Sequence, residues 1–187
     1  MLDIDETVLN NIPFEAKSII ENSDYPKYWE EWCNKAEAQP IPGALDFLKA
    51  ADKNKVAIFY ITNRKENLRE VTLKNLVNAG FPQVDTKKLL MKTDEDSKES
   101  RRNEVLKNFE IMLYVGDNLN DMAQVFEVSG LENRKAVADS LAKSFGKNFI
   151  VLPNPTYGEW EKGVLNGTYK HSREERDSLL KDKLIVF

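Results

Sequence analysis

Residues that staple or metallate small domains are scarce here: the 187-residue chain has one cysteine, Cys33, and one histidine, His171. A single cysteine excludes an internal disulfide and a cysteine-rich zinc site. Basic residues are not in excess: Lys and Arg number 27 against 31 Asp and Glu, for a net charge of −4. With no dense basic run, a nucleic-acid polymer is excluded as a bulk partner. No stretch approaches the ~20 apolar residues of a membrane-spanning helix. There is no internal repeat and no low-complexity linker. What remains is 41% hydrophobic and 31% charged, the composition of a globular chain. Its length suits one medium domain that buries about 70% of its extended surface on folding.

Short apolar runs alternate with amphipathic stretches. Lys55–Thr62, Ile111–Val115 and Phe149–Leu152 read as buried strands, rich in β-branched and aromatic residues, and Leu89–Met91 is a weaker candidate. Helix patterns cover Pro42–Ala51, Glu66–Asn78, Ser97–Asn108, a segment from Asp121 and Arg134–Ser144. The second places Leu73, Leu76 and Val77 on one face and stops at Gly80. The third offers Val105, Leu106 and Phe109 to the core, and the fourth Met122, Val125 and Phe126. Arg173–Lys183 reads as a solvated helix. The alternation predicts an α/β fold, a parallel sheet with helices on both faces. Ligands of such sheets sit beyond the carboxyl ends of the strands.

Four polar clusters fall at those ends: Asp3-Ile-Asp5-Glu-Thr7, Thr62-Asn63-Arg64, Ser97-Lys98, and Gly116-Asp117-Asn118-Leu-Asn-Asp121. Each alone is an ordinary cap or turn. Together they describe one chemistry. Paired carboxylates bind a hard cation such as Mg²⁺ through oxygen, and a carboxylate can attack phosphorus. A hydroxyl and an ammonium neutralise and position phosphoryl oxygens.

These four motifs resemble those of the haloacid-dehalogenase-like phosphohydrolases. Leu2–Asn11, Pro40-Ile-Pro-Gly43, Tyr60-Ile-Thr-Asn-Arg64, Tyr114–Asp121 and Leu152–Glu161 narrow the resemblance to the class C acid phosphatases, bacterial surface lipoproteins often called 5′-nucleotidases. The resemblance runs from residue 2 to about residue 170. It implies a Rossmann-like α/β core, one domain over residues 1–187, with a short helical cap inserted at about residues 12–40. Asp3 matches the nucleophile and a metal ligand. Asp5 matches the general acid/base, its backbone carbonyl a further metal ligand. Thr62 matches the phosphate-binding hydroxyl and Lys98 the lysine that stabilises the pentacoordinate phosphorus, with Lys92 as the alternative. Asp117 matches a side-chain metal ligand, and Asp121 holds a metal-bound water or Lys98. Asn63, Trp29 and Tyr157 fall on the substrate side, Trp29 and Tyr157 as two aromatic walls for a nucleobase. Asp5, where related ATPases carry Thr, favours hydrolysis of the acyl phosphate over its storage.

The expected activity is Mg²⁺-dependent hydrolysis of phosphate monoesters, nucleoside 5′-monophosphates among them, through an aspartyl phosphate and with an acidic optimum. Only Met1 and Leu2 precede Asp3, so the natural polypeptide is expected to extend upstream. A lipoprotein signal there would imply a cell-envelope or secreted location and membrane attachment only through a lipid anchor. A homodimer is compatible with the resemblance. The rival readings are an envelope lipoprotein that binds haem or a nucleotide without turnover, and a phosphotransferase. The remaining aromatics of the insert, Tyr25, Tyr28 and Trp32, read as cap packing. Cys33 reads as a small buried hydrophobe. His171 lies in a polar tail away from any strand end and is given no role.

Overall fold

In the computed structural model, which describes residues 1–186, the chain leaves its first strand position through a tight turn. The amides of Thr7, Val8 and Leu9 all donate to the Ile4 carbonyl. Glu6 takes a left-handed φ of 53° in that turn, a conformation unusual for a residue with a side chain. Leu9–Asn10 (β1) then pairs antiparallel with Gln39–Pro40 (β2), and this pair closes the base of the insert. Between them lie α1 (Ile12–Ile20) and α2 (Trp29–Lys35). The helical cap expected at about residues 12–40 was given no particular helix at Ile12–Ile20, because the apolar side chains of α1 do not share one buried stripe. Phe14 turns inward while Ile12, Ile19 and Ile20 stay exposed.

After β2 come α3 (Ala44–Lys53), β3 (Tyr60–Lys65), α4 (Arg69–Asn78), β4 (Leu89–Lys92), α5 (Glu99–Leu106), β5 (Tyr114–Gly116), α6 (Leu131–Ser140), β6 (Phe149–Val151), α7 (Trp160–Val164) and α8 (Arg173–Asp182). β3 pairs parallel with β4, and β5 with β6. Leu2 joins the two pairs by parallel bridges to Tyr60 on one side and Val115 on the other. Leu2 N donates to Phe59 O and Asp3 N to Val115 O, both at 2.9 Å. The order across the sheet is therefore β4, β3, Leu2, β5, β6, all parallel, which is the α/β arrangement that the alternation implied. Leu48 of α3 and Leu76 of α4 pack with Leu2, Ile58, Tyr60, Leu89 and Val115 in the core.

Several boundaries differ from the sequence reading. The strand expected over Lys55–Thr62 begins at Tyr60 and runs on to Lys65, because Ile58 N is taken by the Gln83 side chain at 3.1 Å instead of a neighbouring strand. Its pairing with β4 slips between Ile61 and Lys65; such a bulge bends a strand and re-aims its side chains, here around Thr62. In α4 the buried residues are Thr72, Asn75 and Leu76, whereas Val77 is exposed. Asn75 is drawn inward by two hydrogen bonds with the Ala38 backbone. The helix expected from Asp121 is replaced by two 3₁₀ turns, Leu119–Asp121 and Gln124–Phe126, with an extended Ala123 between them. Arginines take the carbonyls that a helix would have used: Arg102 bonds Asn120 O at 2.9 Å and Arg134 bonds Phe126 O at 2.6 Å. α8 forms as expected, started by a reciprocal Ser172–Glu175 cap.

Candidate active site

Asp3 follows the sheet's central residue, so its side chain stands at the carboxyl end of the parallel strands. Lys98, at the entrance to α5, reaches it from the side. Its ammonium bonds Asp3 Oδ1 and, at 2.6 Å, Asp121 Oδ1. All three are buried, 8%, 7% and 6% exposed for Asp3, Lys98 and Asp121. Asp121 is fixed at its other oxygen by the Asn118 amide at 3.0 Å. Gly116 makes room for that carboxylate: a Cβ there would lie 2.3 Å from Asp121 Oδ2, so no larger residue fits. Asp117 completes the group and accepts from Asn154 Nδ2 at 2.8 Å. One carboxylate oxygen from each of Asp3, Asp117 and Asp121 lies within 4.8 Å of the others.

Two of these carboxylates therefore share one ammonium, with Asp117 beside them. Burial pushes Asp3 well above the usual carboxylate range; Lys98 opposes that shift, and Asp121 and Asp117 add to it. Burial, with Asp121 beside it, raises Asp117 to about 6. For Lys98 burial acts downward, but Asp121 and Asp3 outweigh it and hold the ammonium charged. An oxygen-only donor set with surplus negative charge fits a hard divalent cation.

Asp5 stands two residues on and is held differently. Arg64 is buried and grips it: Nη2 reaches Oδ1 at 2.7 Å, and Nε reaches Oδ1 at 3.0 Å and Oδ2 at 3.2 Å. Asn11, fully buried, donates Nδ2 to the same Oδ1 at 2.9 Å. Thr62 Oγ1 lies 3.5 Å from Oδ2 and accepts the Arg64 amide at 3.1 Å.

The structure brings Asp3, Asp5, Thr62, Lys98, Asp117 and Asp121 together and separates the two lysines: Lys92 pairs with Asp96, not with the cluster. Asn63 spends its side chain on the loop before α5, donating to Asp96 O at 2.9 Å and accepting from Arg101 at 2.8 Å. Trp29 packs edge-on against Phe14 and Tyr25 and lies under the Arg64 guanidinium, 5.4 Å from ring centre to Cζ. Tyr157 donates its hydroxyl to Glu6, whose carboxyl is raised to about 8 by burial and then by Asp5. Cys33 is buried, its thiol pushed up to about 12 by burial. His171 only meets the Leu165 carbonyl.

Sequence reasoning gave no role to Asn11, Arg64, Arg101, Asn154 or the anchoring arginines Arg102 and Arg134. Arg64 carried a usable signal, since it sits two residues after Thr62 in the same strand and period two puts both on its buried face. The others are long-range partners with no local pattern.

Beside this group lies a cavity of about 370 Å³ lined by Tyr25, Tyr28, Trp29, Asn63, Lys65 and Leu68, among others. Its wall includes Trp29, which covers Arg64, the residue that grips Asp5.

Residues 1–160 match the family described as HAD superfamily, subfamily IIIB (acid phosphatase). The chain is 28% identical over 167 residues to acid phosphatase 1 of Solanum lycopersicum, covering 84% of this chain and 57% of that protein. It is 27% identical over 165 residues to a class B acid phosphatase of Rahnella sp., covering 80% and 70%. The crystal structure of the class C acid phosphatase of Bacillus anthracis with tungstate bound superposes with a TM-score of 0.96 at 40% identity, over all of this chain and 78% of that one. With the family matched along 1–160 and its fold reproduced throughout, this chain belongs to the subfamily IIIB acid phosphatases of the HAD superfamily, hydrolases of phosphoric monoesters.

Proposed function

We propose that the chain hydrolyses phosphate monoesters, nucleoside 5′-monophosphates among them, through an aspartyl phosphate on Asp3 with Mg²⁺ as its cation. The observation that carries this is the single Lys98 ammonium shared by buried Asp3 and Asp121 beside Asp117. Asp3, Asp117, Asp121 and the Asp5 carbonyl are the groups that would hold the metal. When bound, it supplies positive charge to the phosphoryl oxygens.

In the first step an Asp3 oxygen bonds to phosphorus. The bond from phosphorus to the ester oxygen breaks, and the departing oxygen takes its proton from Asp5. Thr62 and Lys98 neutralise charge on the phosphoryl oxygens. In the second step Asp5 takes a proton from water as the water oxygen bonds to phosphorus, and the bond to Asp3 breaks to release inorganic phosphate. Tungstate, bound by the B. anthracis relative, is an oxyanion like phosphate, which supports a phosphoryl site here. An envelope location through an upstream lipid anchor belongs to the same reading; no described helix is long and apolar enough to cross a membrane.

The metal assignment is tested by melting the chelated protein with and without Mg²⁺ at pH 5 and pH 7. Raised native-state values for Asp3 and Asp117 mean that the metal-free fold binds extra protons, so its stability falls as pH rises, through about 6 in the case of Asp117. A cation needs these carboxylates ionised. The Mg²⁺-induced rise in Tm should be larger at pH 7 than at pH 5, and activity lost on chelation should return with Mg²⁺. Full activity in excess chelator would remove the metal from the mechanism.

The aromatic cavity supports the nucleotide assignment, since aromatic faces hold a base with about 1–3 kcal/mol. Trp29 also covers Arg64, so exposed Tyr25 is the cleaner probe. Tyr25→Ala should lower kcat/KM for a nucleoside monophosphate about tenfold and leave glycerol phosphate unchanged. No loss on the nucleotide would place the base elsewhere, and equal losses on both would mean damaged cap packing.

A further inference from the structure

We propose that the helical insert sets which oxygen of Asp5 handles the proton, through two tryptophans that act on it second-hand: Trp32 through Asn11 and Trp29 through Arg64. The inference rests on the acid–base role proposed for Asp5. The hydrogen bonds at the two carboxylate oxygens are unequal. Oδ1 receives Arg64 Nη2, Arg64 Nε and Asn11 Nδ2 at 2.7, 3.0 and 2.9 Å. Oδ2 has only the far arm of the Nε contact at 3.2 Å and the Thr62 hydroxyl at 3.5 Å. An oxygen saturated by donors is a poor place for a proton. Oδ2, on the Thr62 side, is the oxygen left to carry it. Its O–H bond breaks as the ester oxygen leaves phosphorus and becomes the alcohol, and it re-forms with a proton from water in the second step.

What fixes this asymmetry lies in the insert. Asn11 Nδ2 lies between two carboxylates, Asp5 Oδ1 at 2.9 Å and Glu6 Oε2 at 3.3 Å. Its carbonyl oxygen accepts from Trp32 Nε1, from α2, at 2.8 Å. Without that bond the buried Asn11 oxygen loses its donor, and the amide is free to drift from Asp5 toward Glu6. Arg64 is buried, steadied by Thr72 at 3.3 Å from Nη1 and covered by the Trp29 ring. The two routes come from α2, the helix that also lines the aromatic cavity, so the element that would meet the leaving group also orients its proton donor. Trp32, Asn11, Trp29 and Arg64 are positioning residues in this scheme.

A misplaced proton donor penalises poor leaving groups selectively, whereas a damaged fold penalises all substrates alike. The test compares kcat/KM for glycerol phosphate, whose alcohol needs a proton, with that for nitrophenyl phosphate, whose phenolate does not. General acid–base catalysis is worth about 10²–10⁴-fold. Trp32→Phe, which keeps a ring and removes the N–H, should lower the glycerol phosphate value about tenfold beyond any loss on nitrophenyl phosphate. Arg64→Lys, which keeps the charge and loses the fork, should show the same bias. Asp5→Asn is the reference. If Asp5→Asn is selective and both positioning variants lose equally on the two substrates, the inference is overturned and the role of Asp5 stands. If Asp5→Asn is itself unselective, the acid–base role falls, and the inference with it. Should Trp32→Phe lose its cooperative melt, Arg64→Lys carries the comparison.

Discussion

Replacing Asp3 with Asn is expected to end turnover of every phosphate ester and, in the chelated protein at pH 7, to raise the melting temperature. Loss of activity follows from the proposed chemistry: an amide cannot form the acyl phosphate, and removing a nucleophile costs several powers of ten (about 10⁶ in a well-studied hydrolase). The gain in stability follows from the burial of Asp3 among Asp121, Asp117 and Lys98. Its native-state value lies above the unfolded one, so its contribution is favourable in acid and is lost as pH rises. That stabilisation is lost on the way to neutral pH, whereas Asn, which does not titrate, has none to lose. The difference in Tm between the two proteins should shrink as pH falls below the unfolded value of 3.8, where Asp3 becomes protonated in both states. A domain of this size shifts by roughly 2–4 °C for each kcal/mol. An Asp3→Asn variant that melts lower than the parent at pH 7 would contradict the electrostatic account, and one that still turns over nitrophenyl phosphate would remove Asp3 as the nucleophile.

Lys98→Met should have the opposite effect on stability. The ammonium is the only positive group bonded to both Asp3 and Asp121 among the described residues, and removing one partner from a buried ion pair costs about 3–5 kcal/mol. Melting should fall by about 10 °C at neutral pH in chelator. Without Lys98 the carboxylates hold protons still more strongly, so the penalty should lessen in acid and grow as pH rises. Added divalent cation should recover part of it. Turnover should fall by about 10²–10³-fold, the scale of losing a charge-stabilising group. Adding Asp3→Asn to Lys98→Met should raise the melting temperature by more than Asp3→Asn raises that of the parent, because residues in contact are not additive. An additive result would mean that the two side chains do not share one balance of charge.

Sequence reading went furthest where the physics is local. The apolar runs around Tyr60, Leu89, Val115 and Phe149 became the four strands of the parallel sheet, because a strand's apolar pattern is written in consecutive residues. Asp3, Asp5, Thr62, Lys98, Asp117 and Asp121 were named from their places after strands, and the strand order then carried them to one end of the sheet. The reading failed where a distant partner outbids a local pattern. Met122, Val125 and Phe126 have helical spacing, yet Arg102 and Arg134 hold the carbonyls and the segment settles into 3₁₀ turns. α1 escaped notice because exposed Ile12, Ile19 and Ile20 blur the stripe that would have marked it.

Motifs a few residues long already carry the chemistry of this site: carboxylates and a hydroxyl at strand ends and an ammonium at a helix entrance. How those groups are partnered depends on the fold. It chose Lys98 over Lys92 by burying the one between Asp3 and Asp121 while the other paired with Asp96. It joined Arg64 to Asp5 across 59 residues of chain and Trp32 to Asn11 across 21. Hydrogen bonds and ion pairs of this kind depend on distance in space, and side chains far apart along the chain come within reach only once the core under the sheet has closed.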